Sequence, residues 1–166
     1  MRGRSRKSWN RSALFLALLT FAACRSTDAT AEEAASDRRE VLDLLATLPR
    51  DLAREGPLGW ARHFPTEGSF LMAVDGDLKL RDPAEARAHL EAIATEIEGM
   101  TLAFRETRID RLADGLAAIG AGYDEEVRDR SATAQHFVGY LTALVEKQEG
   151  HWVFRQLHWS SRPEGR

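Results

Sequence analysis

The chain has 166 residues, with 23 basic and 26 acidic side chains, a formal charge of −3 and a single cysteine. This length accommodates one domain with a buried core. The acidic balance argues against a nucleic-acid partner, which requires a basic surface, and one cysteine excludes a disulfide within the chain.

The N-terminus has the order of an export signal. Residues 1–11 carry five basic side chains and no acid, and residues 13–23 form an apolar run of 11 residues before Cys24. A basic head followed by a short apolar run and small residues is typical of a secretory signal peptide. A membrane-spanning helix needs about 20 residues, so this run is too short to be one. We therefore predict export with a leader at residues 1–23, and the remaining chain carries a formal charge of −8.

The segment Phe21-Ala22-Ala23-Cys24 resembles a bacterial lipobox, although the lipobox pattern prefers Leu where Phe21 stands. The resemblance implies cleavage before Cys24, lipidation of its sulfur and anchoring to the membrane of the cell envelope. Two or more acyl chains make such an anchor stable. Arg25, where an Asp would signal retention in the inner membrane, favours the periplasmic face of the outer membrane. The alternative is an ordinary secreted protein with an incidental thiol.

The region after the leader predicts a tether and then a helical start to the domain. Residues 24–35 contain no large apolar residue and are predicted to be a flexible, solvated tether. The domain is predicted over residues 36–162, with Ser36 capping a helix whose apolar stripe continues to Leu52. Pro49 lies inside that stripe, so we expect the helix to kink or split there. A short amphipathic turn follows at residues 58–64.

The middle of the domain predicts a hairpin and a second helix. Asp75-Gly76 is a strong two-residue turn between short strands. Asp82 and Glu85 then stand at the positions of a helix cap and a capping-box acid. The apolar stripe of this helix predicts that it continues to Gly99.

The last third of the chain predicts four long strands joined by hairpin turns. Consecutive hairpins give an antiparallel meander, and the helices come before it in the chain. This order predicts an α+β domain in which a curved antiparallel sheet wraps around N-terminal helices. The four predicted strands are residues 101–112, 116–128, 132–147 and 152–161.

The order of helices, hairpin, helix and four long strands resembles the nuclear transport factor 2-like superfamily. The resemblance covers about residues 37–162 and is closest to the SnoaL-like branch and to the calcium/calmodulin-dependent kinase II association domain. Its most specific residues are in the last hairpin, from the turn at Glu149-Gly150 through Trp152 to His158 and Ser160. The resemblance implies a cone-shaped, cystatin-like fold with one apolar pocket. Some members are isomerases, dehydratases or cyclases, and others bind ligands or dimerise through the outer sheet face.

This resemblance and strand alternation together predict a ligand pocket. If Lys147 pairs with His151, then Tyr140 lies opposite His158, and both are expected to face into the cone. An apolar cavity with a few convergent polar groups is the usual form of a small-molecule site. The expected pocket residues are Trp60, His63, Phe64, Phe70, Met72, Tyr140, Thr142, Phe154, Gln156 and His158.

The sequence predicts no placed catalytic base. Ketosteroid isomerase-like members carry a carboxylate on the first strand, and the matching position here is Met72. The consecutive acids Asp124, Glu125 and Glu126 are interpreted as a solvated strand end. We therefore expect a membrane-anchored protein that binds a small apolar molecule and has no catalytic residue, no cofactor and no metal. We also expect this protein to form a homodimer.

The sequence is also compatible with two alternative functions. One is a small lyase or isomerase with His158 as the acid/base and Tyr140 as the orienting donor, because imidazole titrates near physiological pH. The other is a pure interaction module whose cavity is filled by Trp60, Phe64 and Met72.

Overall fold

The structure is a computed structural model that describes residues 13–163, with side chains from residue 30 to residue 162. The predicted basic leader at residues 1–11 lies outside the described residues, and so does the side chain of Cys24. The chain divides into two units, residues 1–35 and residues 36–166. Within the described part, no helix combines the length and the apolar character needed to cross a membrane.

The predicted α+β fold is confirmed. The six strands form one sheet in the order β2-β1-β6-β5-β4-β3. β1 pairs with β6 in parallel, and the other neighbours are antiparallel, including the predicted meander. The elements are α1 (Ala13–Glu55), a 3₁₀ helix (Gly56–Arg62), β1 (Leu71–Val74), β2 (Asp77–Leu80), α2 (Pro83–Ile93), β3 (Ile97–Ala113), β4 (Leu116–Asp129), β5 (Ala134–Gln148) and β6 (His151–Pro163).

α1 is longer than the sequence pattern predicts. It includes residues 24–35 and continues through Pro49, so the expected split does not occur. Proline removes one backbone donor, but Leu48 and Leu52 on either side of it are fully buried in the core. This packing holds the helix together across the proline. Because the helix begins upstream, Ser36 is not its cap and donates instead to Glu40 at 3.3 Å.

α2 begins as predicted but ends earlier. The Asp82 side chain caps it, with Oδ1 accepting from the Glu85 amide at 2.8 Å. The helix ends at Ile93 and not at Gly99. The segment from Ile97 pairs with β4, so these residues join the sheet instead.

The register of the last hairpin differs from the predicted one. Glu149 and Gly150 both have positive φ, 50° and 83°, which gives a two-residue turn. Gln148 therefore pairs with His151, and Lys147 pairs with Trp152.

A β-bulge in β6 then changes which residues face the core. Arg155 is the extra residue, since the pairing with β5 shifts there by one position. One extra residue exchanges the two faces of the strand beyond it. Phe154, before the bulge, is fully buried, as is Leu157 after it, whereas Gln156 and His158 are exposed.

Tyr140 and Thr142 on β5 also face outwards. Thr142 pairs with His158, Tyr140 is 45% exposed, and the intervening Leu141 is fully buried. The pocket positions predicted for Tyr140, Thr142, Gln156 and His158 are therefore wrong. The four side chains share a face, as expected, but it is the outer face of the sheet.

The core lies between the inner face of the sheet, residues 36–55 of α1 and the 3₁₀ helix. Val41 and Leu48 are completely buried in it. The indole N–H of Trp152 donates to the Glu40 carboxylate at 2.9 Å, which ties the start of β6 to α1. Trp152 thus faces inwards.

Candidate ligand-binding site

An apolar cavity lies between the inner face of the sheet, the 3₁₀ helix and α2. Its volume is about 220 Å³. An engineered apolar cavity of about 150 Å³ admits benzene, so this one has room for a molecule of about one ring. The apolar lining consists of Trp60, Phe64, Met72, Val74, Leu80, Leu90, Ile93, Met100, Phe137 and Trp159, and the polar lining consists of His89, Glu125 and Ser161.

Aromatic contacts fix one wall of the cavity. Trp60 stacks on Phe64 with ring centroids 5.3 Å apart, and its edge meets Trp159 at 5.7 Å. Trp159 also packs on Tyr123 at 4.3 Å, and the Tyr123 hydroxyl donates to the Ser160 carbonyl at 3.1 Å. Burial raises the pKa of Tyr123 to about 12, so this hydroxyl remains a neutral donor at physiological pH.

Glu125 is the buried acid of the cavity. It lies on the inner face of β4 and is only 9% exposed. Burial raises the pKa of its carboxyl to about 7, because the charged form loses its hydration. Among residues 30–162, no side chain donates to this carboxyl or forms an ion pair with it. Glu125 can therefore take up or release a proton near neutral pH inside an apolar space.

Glu125 does not stand out in the sequence because it lies in a run of three acids. Strand alternation separates these acids: Asp124 faces outwards and accepts from Arg105 at 2.8 Å, whereas Glu125 faces the core. The inward positions of Ile119 and Tyr123 on the same strand were the signal that could have identified it, since alternate residues share a face. The interpretation of Glu125 as solvated is wrong.

His63 lies against α1 and does not line the cavity. Its Nε2 is 3.0 Å from Asp51 Oδ2, and both side chains are buried. Arg54 donates to the other oxygen of Asp51 at 2.7 Å. Burial lowers the pKa of His63, while the contact with Asp51 opposes that shift. The pair fastens the 3₁₀ helix to α1 and so positions Trp60 and Phe64 at the cavity.

The remaining predicted pocket residues fall into two groups. Trp60, Phe64 and Met72 line the cavity. Phe70 and Phe154 are buried in the core beside it, with Phe70 packed on Phe64 at 4.7 Å. In the part of the chain that the structure describes, no group of three His, Cys, Asp or Glu side chains could hold a metal ion.

Similarity to solved structures identifies the class of fold. A proposed scytalone dehydratase from Novosphingobium aromaticivorans matches with a TM-score of 0.70 at 15% identity, over 80% of this chain and 88% of that chain. A proposed calcium/calmodulin-dependent protein kinase II association domain from Xanthomonas campestris matches with a TM-score of 0.62 at 22% identity, over 76% of this chain and 89% of that chain. Hexachlorocyclohexane dehydrochlorinase from Novosphingobium barchaimii matches with a TM-score of 0.61 at 12% identity, over 80% of this chain and 90% of that chain. No family model and no curated protein matches the sequence.

The domain therefore has the nuclear transport factor 2-like fold, which further matched structures share. This confirms the fold that the sequence resemblance predicted. Identities of 12% to 22% in these three matches establish the fold and no more. Proteins with one fold perform many functions, so the function of this chain has to be argued from its own cavity.

Proposed function

We propose that this domain binds a small, largely apolar molecule in the cavity beside Glu125. The observation that carries the proposal is an apolar space of about 220 Å³ with a buried carboxyl in its wall. Trp60, Phe64 and Met72 line this space without filling it, which favours ligand binding over a pure interaction module. The similar dehydrochlorinase is named for hexachlorocyclohexane, an apolar molecule of one ring, and this supports the expected ligand size.

Native mass spectrometry of the protein, extracted mildly from its own host, tests this proposal. We expect a bound molecule that is released on denaturation. Met72→Trp should abolish the adduct, because the larger side chain occupies the cavity. Leu78→Trp is the matched control, since Leu78 is 46% exposed on β2. A cavity that is consistently empty in the wild-type protein would contradict the proposal.

A second candidate function is acid–base catalysis by Glu125. The observation that favours it is a carboxyl whose pKa is raised to about 7 inside the cavity, because a catalytic group is most effective when its pKa lies near the working pH. His158 and Tyr140, the catalytic pair considered from sequence, face away from this space and are not proposed again. The similarity to a proposed scytalone dehydratase supports an enzyme of this class.

Proton exchange at a probe molecule separates catalysis from binding alone. Cyclohexanone in D₂O exchanges its α-protons slowly, and NMR follows the loss of their signal. If Glu125 acts as a base, the wild-type protein accelerates this exchange and Glu125→Gln does not. Equal exchange rates for the two proteins, with cyclohexanone shown to bind both, would exclude catalysis by Glu125. Ligand binding would then be the function that remains.

We further propose that the domain forms a homodimer through the outer face of the sheet. Small residues, Ala118 and Gly120, form a shallow trough there between exposed side chains that include Thr142 and His158. Thr142→Arg should convert the dimer to a monomer in light scattering, because it introduces a charge into the trough. An unchanged mass for this variant, or a monomeric wild-type protein, would refute the arrangement.

A further inference from the structure

Glu125 differs from the other well-buried acid of the domain in having no counter-charge. Asp51 is shared by His63 and Arg54. Among residues 30–162 no basic side chain forms an ion pair with Glu125, whose carboxyl lines the cavity. A buried carboxylate without a counter-charge is costly, since burial removes much of its hydration and no positive charge of the protein replaces it.

The walls of the cavity suit a positive charge. Trp60, Phe64, Phe137 and Trp159 all contribute to the lining. The faces of aromatic rings carry negative potential and attract cations, particularly where water is excluded. An acid in the wall of an apolar cavity that is lined in part by aromatic rings is therefore a favourable environment for a cation with an apolar body.

We propose that the cavity binds a small organic cation, an amine with a hydrocarbon part of about one ring, whose ammonium group pairs with Glu125. The inference rests on the proposed function that this cavity binds a small molecule. The ammonium group supplies the counter-charge that the protein does not, and the ring fills the space between the 3₁₀ helix and the sheet. The formal charge of −8 on the chain after residue 23 also attracts cations.

The pairing makes binding depend on pH. The amine is cationic throughout the neutral range, so its affinity follows the ionisation of Glu125. Tyr123 on the same strand and His89 of α2 at the cavity rim are the titratable groups near that carboxyl. Asp75, which accepts a hydrogen bond from the Ser161 hydroxyl, acts electrostatically on Tyr123. β3, β5 and the 3₁₀ helix present apolar side chains to the cavity.

Three probes with one ring each test the inference by calorimetry on the full chain in lipid nanodiscs at pH 8. They are cyclohexylmethylamine, cyclohexylmethanol and cyclohexanecarboxylate, which share a ring and differ in charge. We expect the amine to bind at least about tenfold more tightly than the alcohol, and the carboxylate to bind most weakly. In Glu125→Gln the advantage of the amine over the alcohol should disappear while the alcohol still binds.

The pH dependence provides an independent readout. Between pH 8 and pH 5 the amine should lose up to about 100-fold in affinity for the wild-type protein, because Glu125 becomes protonated. The alcohol should change little. His89→Gln should show the same loss, which separates Glu125 from the imidazole at the rim.

The outcomes distinguish this inference from the proposed function. An alcohol that binds as tightly as the amine, or an amine preference that survives in Glu125→Gln, would overturn the cation inference and leave ligand binding intact. If neither the amine nor the alcohol binds, the proposed function fails and the inference fails with it.

Discussion

Burial of Glu125 has a consequence for stability as well as for binding. Its carboxyl has a pKa of about 7 in the folded protein and an ordinary value of 4.5. The unfolded chain therefore loses this proton near pH 4.5, and the folded protein keeps it until about pH 7. The contribution of this carboxyl to the free energy of unfolding is therefore most favourable below pH 4.5. It falls as the pH rises to about 7 and is constant above that pH. The difference corresponds to about 3 kcal/mol.

Glu125→Gln should accordingly stabilise the protein at neutral pH and above. The amide is uncharged and of similar size, so it avoids the cost of burying a carboxylate. We expect an increase of about 1–3 kcal/mol in the free energy of urea unfolding at pH 8, and a much smaller difference at pH 4.5. His63 titrates in both proteins, so its contribution cancels when the two are compared.

Glu126→Gln is the control for this measurement. Its side chain is 42% exposed and pairs with Arg128 across 3.3 Å. The loss of such a surface pair changes stability by less than about 1 kcal/mol. A Glu125→Gln protein that is less stable than the wild type at pH 8 would show that the carboxyl has a partner in solution.

At the scale of the elements, a close contact between the 3₁₀ helix and α1 fixes the position of the cavity wall that the 3₁₀ helix forms. A Cβ atom at Gly59 would lie 2.6 Å from the carbonyl carbon and oxygen of Asp51. The two backbones therefore touch at a position where only glycine fits. This contact sets the position of Trp60 in the cavity wall and brings His63 to Asp51.

Gly59→Ala should therefore destabilise the domain and loosen the cavity. The clash is with backbone atoms, which cannot rotate away, so we expect a loss of about 2–4 kcal/mol in thermal or urea unfolding. Gly99→Ala in β3 is the matched control, since a Cβ there would have no neighbour within 4 Å. Equal stability of the two variants would mean that the 3₁₀ helix is not held against α1 in this way.

The strands and hairpins were largely predictable because their signals are local. Turn residues such as Asp75 and Gly76, both with positive φ, mark the hairpins, and alternation marks the strands. The bulge at Arg155 was not predictable, since no local residue pattern distinguishes an extra residue in a long strand. That one residue reversed the expected direction of His158 and Gln156. The site prediction failed there because alternation carries any error in register along the whole strand.

At the scale of the whole molecule, the fold and the predicted cellular location depend on different parts of the chain. The resemblance of residues 37–162 to nuclear transport factor 2-like proteins predicted the fold, because the order of elements extends over the entire domain. The predicted export signal and Cys24 belong to the first 24 residues, and their role is a proposal from the lipobox pattern. An envelope-anchored domain with a cavity beside Glu125 would keep a small molecule at the membrane surface.

We propose that the chain is exported and anchored by lipid at Cys24, and Cys24→Ser tests this in a bacterial host. A serine cannot form the thioether, so neither lipidation nor cleavage at this site should occur. The wild-type protein should incorporate labelled palmitate and sediment with membranes, since two or more acyl chains hold it there. The variant should incorporate no label, and intact mass measurement should find residues 1–23 still attached. Ser36→Ala is the control, because it lies beyond the leader and should leave labelling unchanged. Wild-type protein that is cleaved at another position and released without label would identify an ordinary secreted protein, with Cys24 as an incidental thiol.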